Sequence, residues 1–427
     1  MFIVYDLIFL IFTIFYLPVY LLRRKFHRGF SSRLGFLPKN LSLNKPIWVH
    51  AVSVGEAMAV RRLIEELRNN YPGKKFVIST VTPTGNKIAK SIAKPGDFVT
   101  YLPLDFSFIV KSVINRINPA VFIIAETEIW PNLISYLYKK NIPVITVNGR
   151  ISDASSRGYL SIKLFIKPIL NRIAFFCMQT ERDAERLSRL GVQNSKIKVT
   201  GNMKFDTAGY AGKAESSYDY RQKLCLCAPD KLLVAGSTHP GEEEMILGAY
   251  KSLKKEFPDL KLLIAPRHPE RSKEIMQIVS KFGLPSVFVS GLPSECSTCL
   301  ANSVFILDSV GELASFYAIS DIVFMGGSLV KKGGHNILEP AALLKPVIFG
   351  PYMFNFQDIA ELFLSKKAAI IIRGPEELEK NIADLLENSA LAKDLAERAK
   401  ALIAQNQGAT KRNSECITKT IATEFAL

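Results

Sequence analysis

Short apolar runs alternate with segments of helical periodicity along nearly the whole chain, and this alternation restricts the fold more than any other feature. Pro46-Ile-Trp-Val-His50 reads as a strand, and Glu56 to Asn70 carries apolar residues at helical spacing (Ala57, Val60, Leu63, Ile64, Leu67). Strands are predicted over 75–80, 97–101, 120–125, 143–148 and 173–180, with helices over 84–93, 108–118 and 132–140 between them. After a polar stretch at 206–217 the pattern resumes, with strands over 231–235, 261–265, 286–289, 321–324 and 347–349. Helices are predicted over 241–257 and 270–282, and residues 375–427 read as mostly helical. Alternation of this kind implies parallel sheets with helices on both faces.

At 427 residues the chain exceeds one ordinary domain of about 100–200 residues. The pattern predicts an α/β protein with two Rossmann-like, doubly wound domains, 26–207 and 228–405, joined by a linker at 208–227. A C-terminal helix follows at 406–427. Ligands bind beyond the carboxyl ends of the strands in such sheets, so a cleft between the two domains is the expected active site.

The N-terminus adds a membrane. Residues Phe2 to Leu22 are apolar except for Asp6, Thr13 and Pro18, about the ~20 residues a span needs. Arg23, Arg24, Lys25 and Arg28 follow at once, the reverse of a secretory signal. Residues 1–25 therefore read as a retained anchor with the rest of the chain on the cytoplasmic side. Asp6 and Pro18 leave open a helix lying in the interface. Charge is consistent with an anionic partner: residues 1–210 hold 30 Lys and Arg against 13 Asp and Glu, and the remainder 25 against 26. This excess is spread over helices and loops rather than gathered in an arm, which argues against nucleic acid.

The stretch from Phe324 to Asp358, FMGGSLVKKGGHNILEPAALLKPVIFGPYMFNFQD, points to a nucleotide. A strand leads into Gly326-Gly327, a second pair Gly333-Gly334 precedes His335 and Asn336, and Ile337-Leu338-Glu339-Pro340 opens a helix. Free backbone N–H groups and a helix dipole in that order can hold a phosphate. Glu339 can accept hydrogen bonds from ribose hydroxyls. Gly236-Ser-Thr-His239 and Pro266-Arg267-His268 follow other strands of the same domain, and Arg267 suits a bidentate phosphate contact. Asp308-Ser-Val310-Gly311-Glu312 is a strand-end turn of the same kind.

The first domain carries the acid–base candidates. Glu56 of Ser53-Val-Gly-Glu56 follows the first strand at a helix N-terminus, which suits a general base, although taken alone the position reads better as a helix cap. Glu126-Thr-Glu128-Ile-Trp130 pairs two carboxylates that can hold hydroxyls or tune a base by like-charge repulsion. Lys204 of Gly201-Asn-Met-Lys204 can stabilise developing negative charge. Cys225-Leu-Cys227 and Cys296-Ser-Thr-Cys299 read as reduced thiols rather than a zinc site, since the second pair has no histidine nearby. No Asp-x-Asp occurs, so no metal is expected.

These motifs have an order. VHAVSVGE, ETEIWPN, NGRISDASSRGY, GNMKFD, AGSTHPGEEE, APRHPER, GELASFYAISDIVFMGGSLVKKGGHNILEPAA and GPYMFNFQD together strongly resemble the Kdo (3-deoxy-D-manno-octulosonic acid) transferases. The match runs from the anchor to about residue 400. The resemblance implies a GT-B glycosyltransferase that moves Kdo from CMP-Kdo to the tetraacyl lipid A precursor with inversion, without cofactor or metal. It implies a location on the inner face of the inner membrane, where anionic lipids meet the basic first domain.

Carried over by motif, the family's proton acceptor falls on Glu56, with Glu126 and Lys204 as supporting residues. The CMP contacts fall on Pro266 and Arg267, on Val310, Gly311 and Glu312, and on Asn336, Ile337, Leu338 and Glu339. Val310 departs from the family's usual methionine, which touches a side-chain role and not a backbone one. Rival readings are a membrane-surface GT-B enzyme using a nucleotide-diphosphate sugar, a transferase that binds CMP without turnover, and a non-enzymatic basic membrane protein. The last leaves Glu56, Glu126 and the glycine loops unexplained.

Overall fold

The computed structural model describes residues 5–11, 13–15, 29–207, 217–292 and 302–425. Most of the anchor expected at 1–25, the first part of the linker (208–216) and both cysteines of the second pair lie outside the described residues. Residues 5–11 and 13–15 are helical. Among the described residues no helix is long and apolar enough to cross a membrane.

The chain divides into two compact units, residues 1–207 with 407–427, and residues 208–406. In the first unit seven parallel strands are β1 (Ile47–His50), β2 (Phe76–Thr80), β3 (Phe98–Tyr101), β4 (Val121–Ala125), β5 (Val144–Gly149), β6 (Phe175–Met178) and β7 (Ile197–Val199). Their order is β3-β2-β1-β4-β5-β6-β7. The order reverses between β1 and β4, which makes their carboxyl ends the switch point where doubly wound sheets bind ligands.

β1, β2 and β4 are buried at every residue because helices cover both faces, so they read as apolar runs without alternation. One face packs Phe122, Ile124, Leu133 and Ile134, the other Val49, Leu63, Ile78 and Ile123. The last helix, Ala409–Phe425, closes that second face with Ala409, Ile417 and Ile421. Its start is anchored by Asp206, whose carboxylate accepts from the amides of Gly408 and Thr410 at 2.6 Å each. This return of the chain leaves no trace in local periodicity.

The second unit repeats the plan with β8 (Lys231–Thr238), β9 (Leu260–Pro266), β10 (Ser286–Phe288), β11 (Val304–Ile306), β12 (Ile322–Met325), β13 (Val347–Phe349) and β14 (Ile370–Ile371). All pairings are parallel, in the order β10-β11-β9-β8-β12-β13-β14, and the switch point lies between β8 and β12. β7, β11 and β14 have two or three residues each. None of them stands out as a separate run in the sequence reading, because so short a segment has no period to detect.

Candidate functional site

In the first unit the carboxylates collect at the β1/β4 switch point. β1 ends at His50, and three residues later Ser53 caps helix Val54–Asn70 in extended conformation. Ser53 and Glu56 form a variant of the capping box, in which Ser53 Oγ accepts the Glu56 amide at 3.4 Å. The Glu56 carboxylate in turn accepts from the Val52 amide (2.7 Å) and the Ser53 hydroxyl (2.9 Å). Capping normally favours the anion. Here burial, and next the charge of Glu126, push the Glu56 pKa up to about 7. Cap and candidate base are thus one residue.

Glu126 leaves β4 with φ +58°, a left-handed conformation uncommon outside glycine and characteristic of positions that the surrounding fold holds in place. Its amide still donates to the Val147 carbonyl at 2.9 Å. Its Oε1 lies 3.6 Å from Lys204 Nζ, although the two residues are far apart in sequence. Lys204 is positioned by the preceding turn, in which Asn148 Oδ1 accepts the Met203 amide and Asn202 Oδ1 accepts that of Lys204, both at 2.9 Å. The fold therefore brings Glu56, Glu126 and Lys204 together within the first unit.

Glu128 is held by Trp130, its neighbour in the sequence motif, and by His50, which the sequence reading placed only in a strand. Its Oε2 accepts the Trp130 indole N–H at 2.9 Å and lies 3.3 Å from His50 Nε2. His50 is fully buried, and its Nδ1 is 2.9 Å from Ser79 Oγ, which accepts the Trp48 indole N–H at 2.8 Å. Nδ1 also lies 3.0 Å from the Ser79 carbonyl oxygen, so the imidazole is held on both sides, by Ser79 at Nδ1 and by Glu128 at Nε2. The available signal was a histidine closing an otherwise apolar strand.

The second unit corrects one expectation. The amides of Gly327, Ser328 and Leu329 do not await a phosphate: they donate to the Glu242 carboxylate at 2.7, 3.0 and 2.9 Å. The His239 amide adds a fourth bond at 3.0 Å. Glu242 has no exposed surface. An internal anion fills the nest that the first glycine pair makes, because leaving four buried N–H groups unpaired would be costly. Thr238 is likewise engaged, donating through Oγ1 to Glu243 at 2.9 Å. The helix expected to open at Ile337 is a single short turn, Leu338–Ala342.

The remaining donor-side candidates stay near the strand ends. Pro266 closes β9, and Arg267 donates its amide to the Thr238 carbonyl at 3.0 Å while its side chain is exposed. Asn336 Oδ1 accepts the Leu338 amide (3.2 Å) and its Nδ2 donates to Glu339 Oε1 (3.0 Å). Ile337 and Leu338 are buried, and burial raises the Glu339 pKa. Val310 is 86% exposed, and Gly311 has φ +102°. Glu312 accepts the Ser309 hydroxyl and lies 3.3 Å from Lys223 Nζ, and these lower its pKa, Ser309 foremost. Among the described residues no group of three or more His, Cys, Asp or Glu is placed to hold a metal ion.

Comparison with known proteins bears on both units. A family described as "3-Deoxy-D-manno-octulosonic-acid transferase (kdotransferase)" matches residues 28–207, and "Glycosyl transferases group 1" matches 242–402. The chain is 34% identical over 398 residues to the 3-deoxy-D-manno-octulosonic acid transferase of Haemophilus influenzae, covering 91% of this chain and 90% of that one. It is 33% identical over 347 residues to the protein of that name from Chlamydophila psittaci, covering 81% and 78%. Among solved structures, a glycosyltransferase from Rickettsia africae aligns with TM-score 0.57 at 16% identity, covering 90% of this chain and 99% of that chain. UDP-GlcNAc 2-epimerase from Neisseria meningitidis, bound to UDP-GlcNAc, aligns with TM-score 0.58 at 13% identity, covering 88% and 100%. At such identities these two structures speak for the GT-B fold alone.

Proposed function

Because the chain belongs to the 3-deoxy-D-manno-octulosonic-acid transferase family and is a glycosyltransferase, we propose that it transfers Kdo from CMP-Kdo to the tetraacyl lipid A precursor, with inversion at the anomeric carbon. The observation that carries this reading is the carboxyl of Glu56, pushed up to about 7 beside the Glu126–Lys204 pair. A base poised near neutrality can take a proton from a sugar hydroxyl while a substantial fraction of it, about half near pH 7, is ionised. The acceptor hydroxyl loses its proton to Glu56 and attacks the anomeric carbon of Kdo, and the C–O bond to CMP breaks.

CMP departs as a monophosphate. Arg267 and the backbone around Asn336 are the groups assigned to that phosphate, and Glu339 to the ribose. Lys204 holds Glu126 and offsets the negative charge gathered around the base. The basic first 210 residues and the apolar N-terminal run suit a bisphosphorylated, acylated acceptor at the cytoplasmic face of the inner membrane, where anionic lipids are the partner surface.

The test is mass spectrometry of the tetraacyl lipid A precursor after incubation with CMP-Kdo and the full-length protein. A gain of one or more Kdo units is expected. Glu56→Gln should lower turnover by about 10²–10⁴-fold. Absence of any mass gain together with absence of CMP binding would overturn the proposal, and a folded Glu56→Gln protein with full turnover would remove Glu56 from its role.

A further inference from the structure

Two histidines of the second unit face each other at the β8/β12 switch point. His239 directly follows β8, and His335 follows the Gly333-Gly334 pair beyond β12. Their Nε2 atoms are 3.0 Å apart and their rings lie 5° from parallel, with centroids 5.3 Å apart. Both pack over Gly327, where an added Cβ would meet the His335 ring at 3.1 Å and the His239 ring at 3.3 Å. Both keep partial access to solvent.

Two imidazole nitrogens at 3.0 Å can share only one hydrogen. In the neutral pair, one ring donates from Nε2 and the other accepts there and carries its own hydrogen on Nδ1. One ring therefore retains an open Nδ1 lone pair. A single further proton on that atom converts the contact into an imidazolium–imidazole bond, a charge-assisted one.

The surroundings decide when this happens. The groups facing the pair are Arg267, His268, Arg271 and Lys332, and Glu242, which accepts the His239 amide. Arg271 is already paired with Glu243 (2.7 Å) and Glu274 (2.9 Å). Glu242 is engaged by four backbone amides. Burial first, and then these cations, push both imidazoles down to about 4, so the ligand-free pair is neutral at physiological pH. A phosphate arriving beside Arg267 reverses that balance, since it adds negative charge to surroundings in which the one carboxylate named, Glu242, is already taken up by backbone amides.

We propose that the His239–His335 pair takes up one proton from solvent when a nucleoside monophosphate binds the second unit, and so serves as a titrating part of the anion site. The inference rests on the donor reading above. Its sign is fixed by linkage: the complex binds the proton more tightly than the free protein, so ligand affinity rises as pH falls. Between the pair's bound-state and free-state values the gain is up to ~10-fold per pH unit.

The experiment is calorimetric titration of CMP into the full-length protein near pH 6, in buffers of differing ionisation enthalpy, which counts protons. The CMP phosphate itself titrates with a second pKa of about 6, so His239→Asn and His335→Gln supply the baseline. Wild type should take up about one proton per CMP more than either variant and show the steeper pH dependence of Kd. Equal proton counts in proteins that all bind CMP would overturn the pair's role and leave the donor reading standing. Absence of CMP binding to wild type at every pH would overturn both.

A second measurement needs no variant. Nitrogen spectra of histidine-labelled wild type, with the His239 and His335 signals assigned, should show one of these two rings as Nε2–H and the other as Nδ1–H in the free protein, with an imidazolium signal appearing at one of them on CMP saturation. His239 and His335 signals both left neutral by saturating CMP would sink the inference.

Discussion

The carboxylate of Glu242 accepts a 2.7 Å hydrogen bond from the amide of Gly327, and by doing so occupies the backbone nest that a glycine-rich strand end offers to phosphate. Three more amides share the same carboxylate. The consequence is a rigid β12 loop whose shape is set before any ligand arrives, with His239 and His335 on its flank. Glu242→Gln should leave donors facing an amide N–H₂ and cost about 1–3 kcal/mol within the second unit. Hydrogen exchange of peptides spanning 327–329 should accelerate, and unchanged exchange there would mean the nest holds itself.

The pH profile of turnover should report Glu56. A base with a folded pKa of about 7 is active only when unprotonated, so kcat/KM should rise with pH and level off above that value. Glu126→Gln removes the second-largest cause of the shift, so the acidic limb should move to lower pH even as the rate falls. A limb that stays in place would assign the ionisation to another group. The same upward shift implies a contribution to stability present below about 4.5 and lost as pH rises through about 7.

Gly326 is constrained by space rather than by φ. An added Cβ there would stand 2.4 Å from the Ser237 carbonyl oxygen, where β8 and β12 end side by side. Gly326→Ala should push these strand ends apart and weaken CMP binding by more than ~10-fold, with the first unit's tryptophan fluorescence unaltered. CMP affinity equal to wild type would show that the strand ends yield without disturbing the site.

Asp6 has a structural task inside the apolar N-terminal run. Helix Ser107–Ile117 has Phe106 at its N-cap and no side-chain cap of its own, and Asp6 Oδ1 accepts the Ser107 amide at 3.0 Å. The same oxygen accepts from Asn132 Nδ2 at 2.6 Å. Asp6→Ala should cost about 0.5–2 kcal/mol, the worth of a helix cap, and speed exchange at Ser107. If exchange at Ser107 stays as slow as in wild type, the first-turn amides have another acceptor.

The sequence by itself determined the elements and their alternation, and hence two parallel doubly wound sheets. Strand ends are where such sheets place chemistry, so Glu56, Glu126, Lys204, Arg267 and Asn336 were legible as candidates without coordinates. Local spacing even showed the Ser53–Glu56 capping box, because its partners are three residues apart. What only the tertiary structure decided are the pairings across strands: Lys204 on Glu126, His50 on Glu128, Glu242 in the Gly327–Leu329 nest, and His239 on His335. The C-terminal helix pinned to Asp206 belongs with them. Periodicity is a property of neighbours in the chain, whereas these contacts depend on strand order and on which distant amides are left unpaired, and only the folded sheet specifies those.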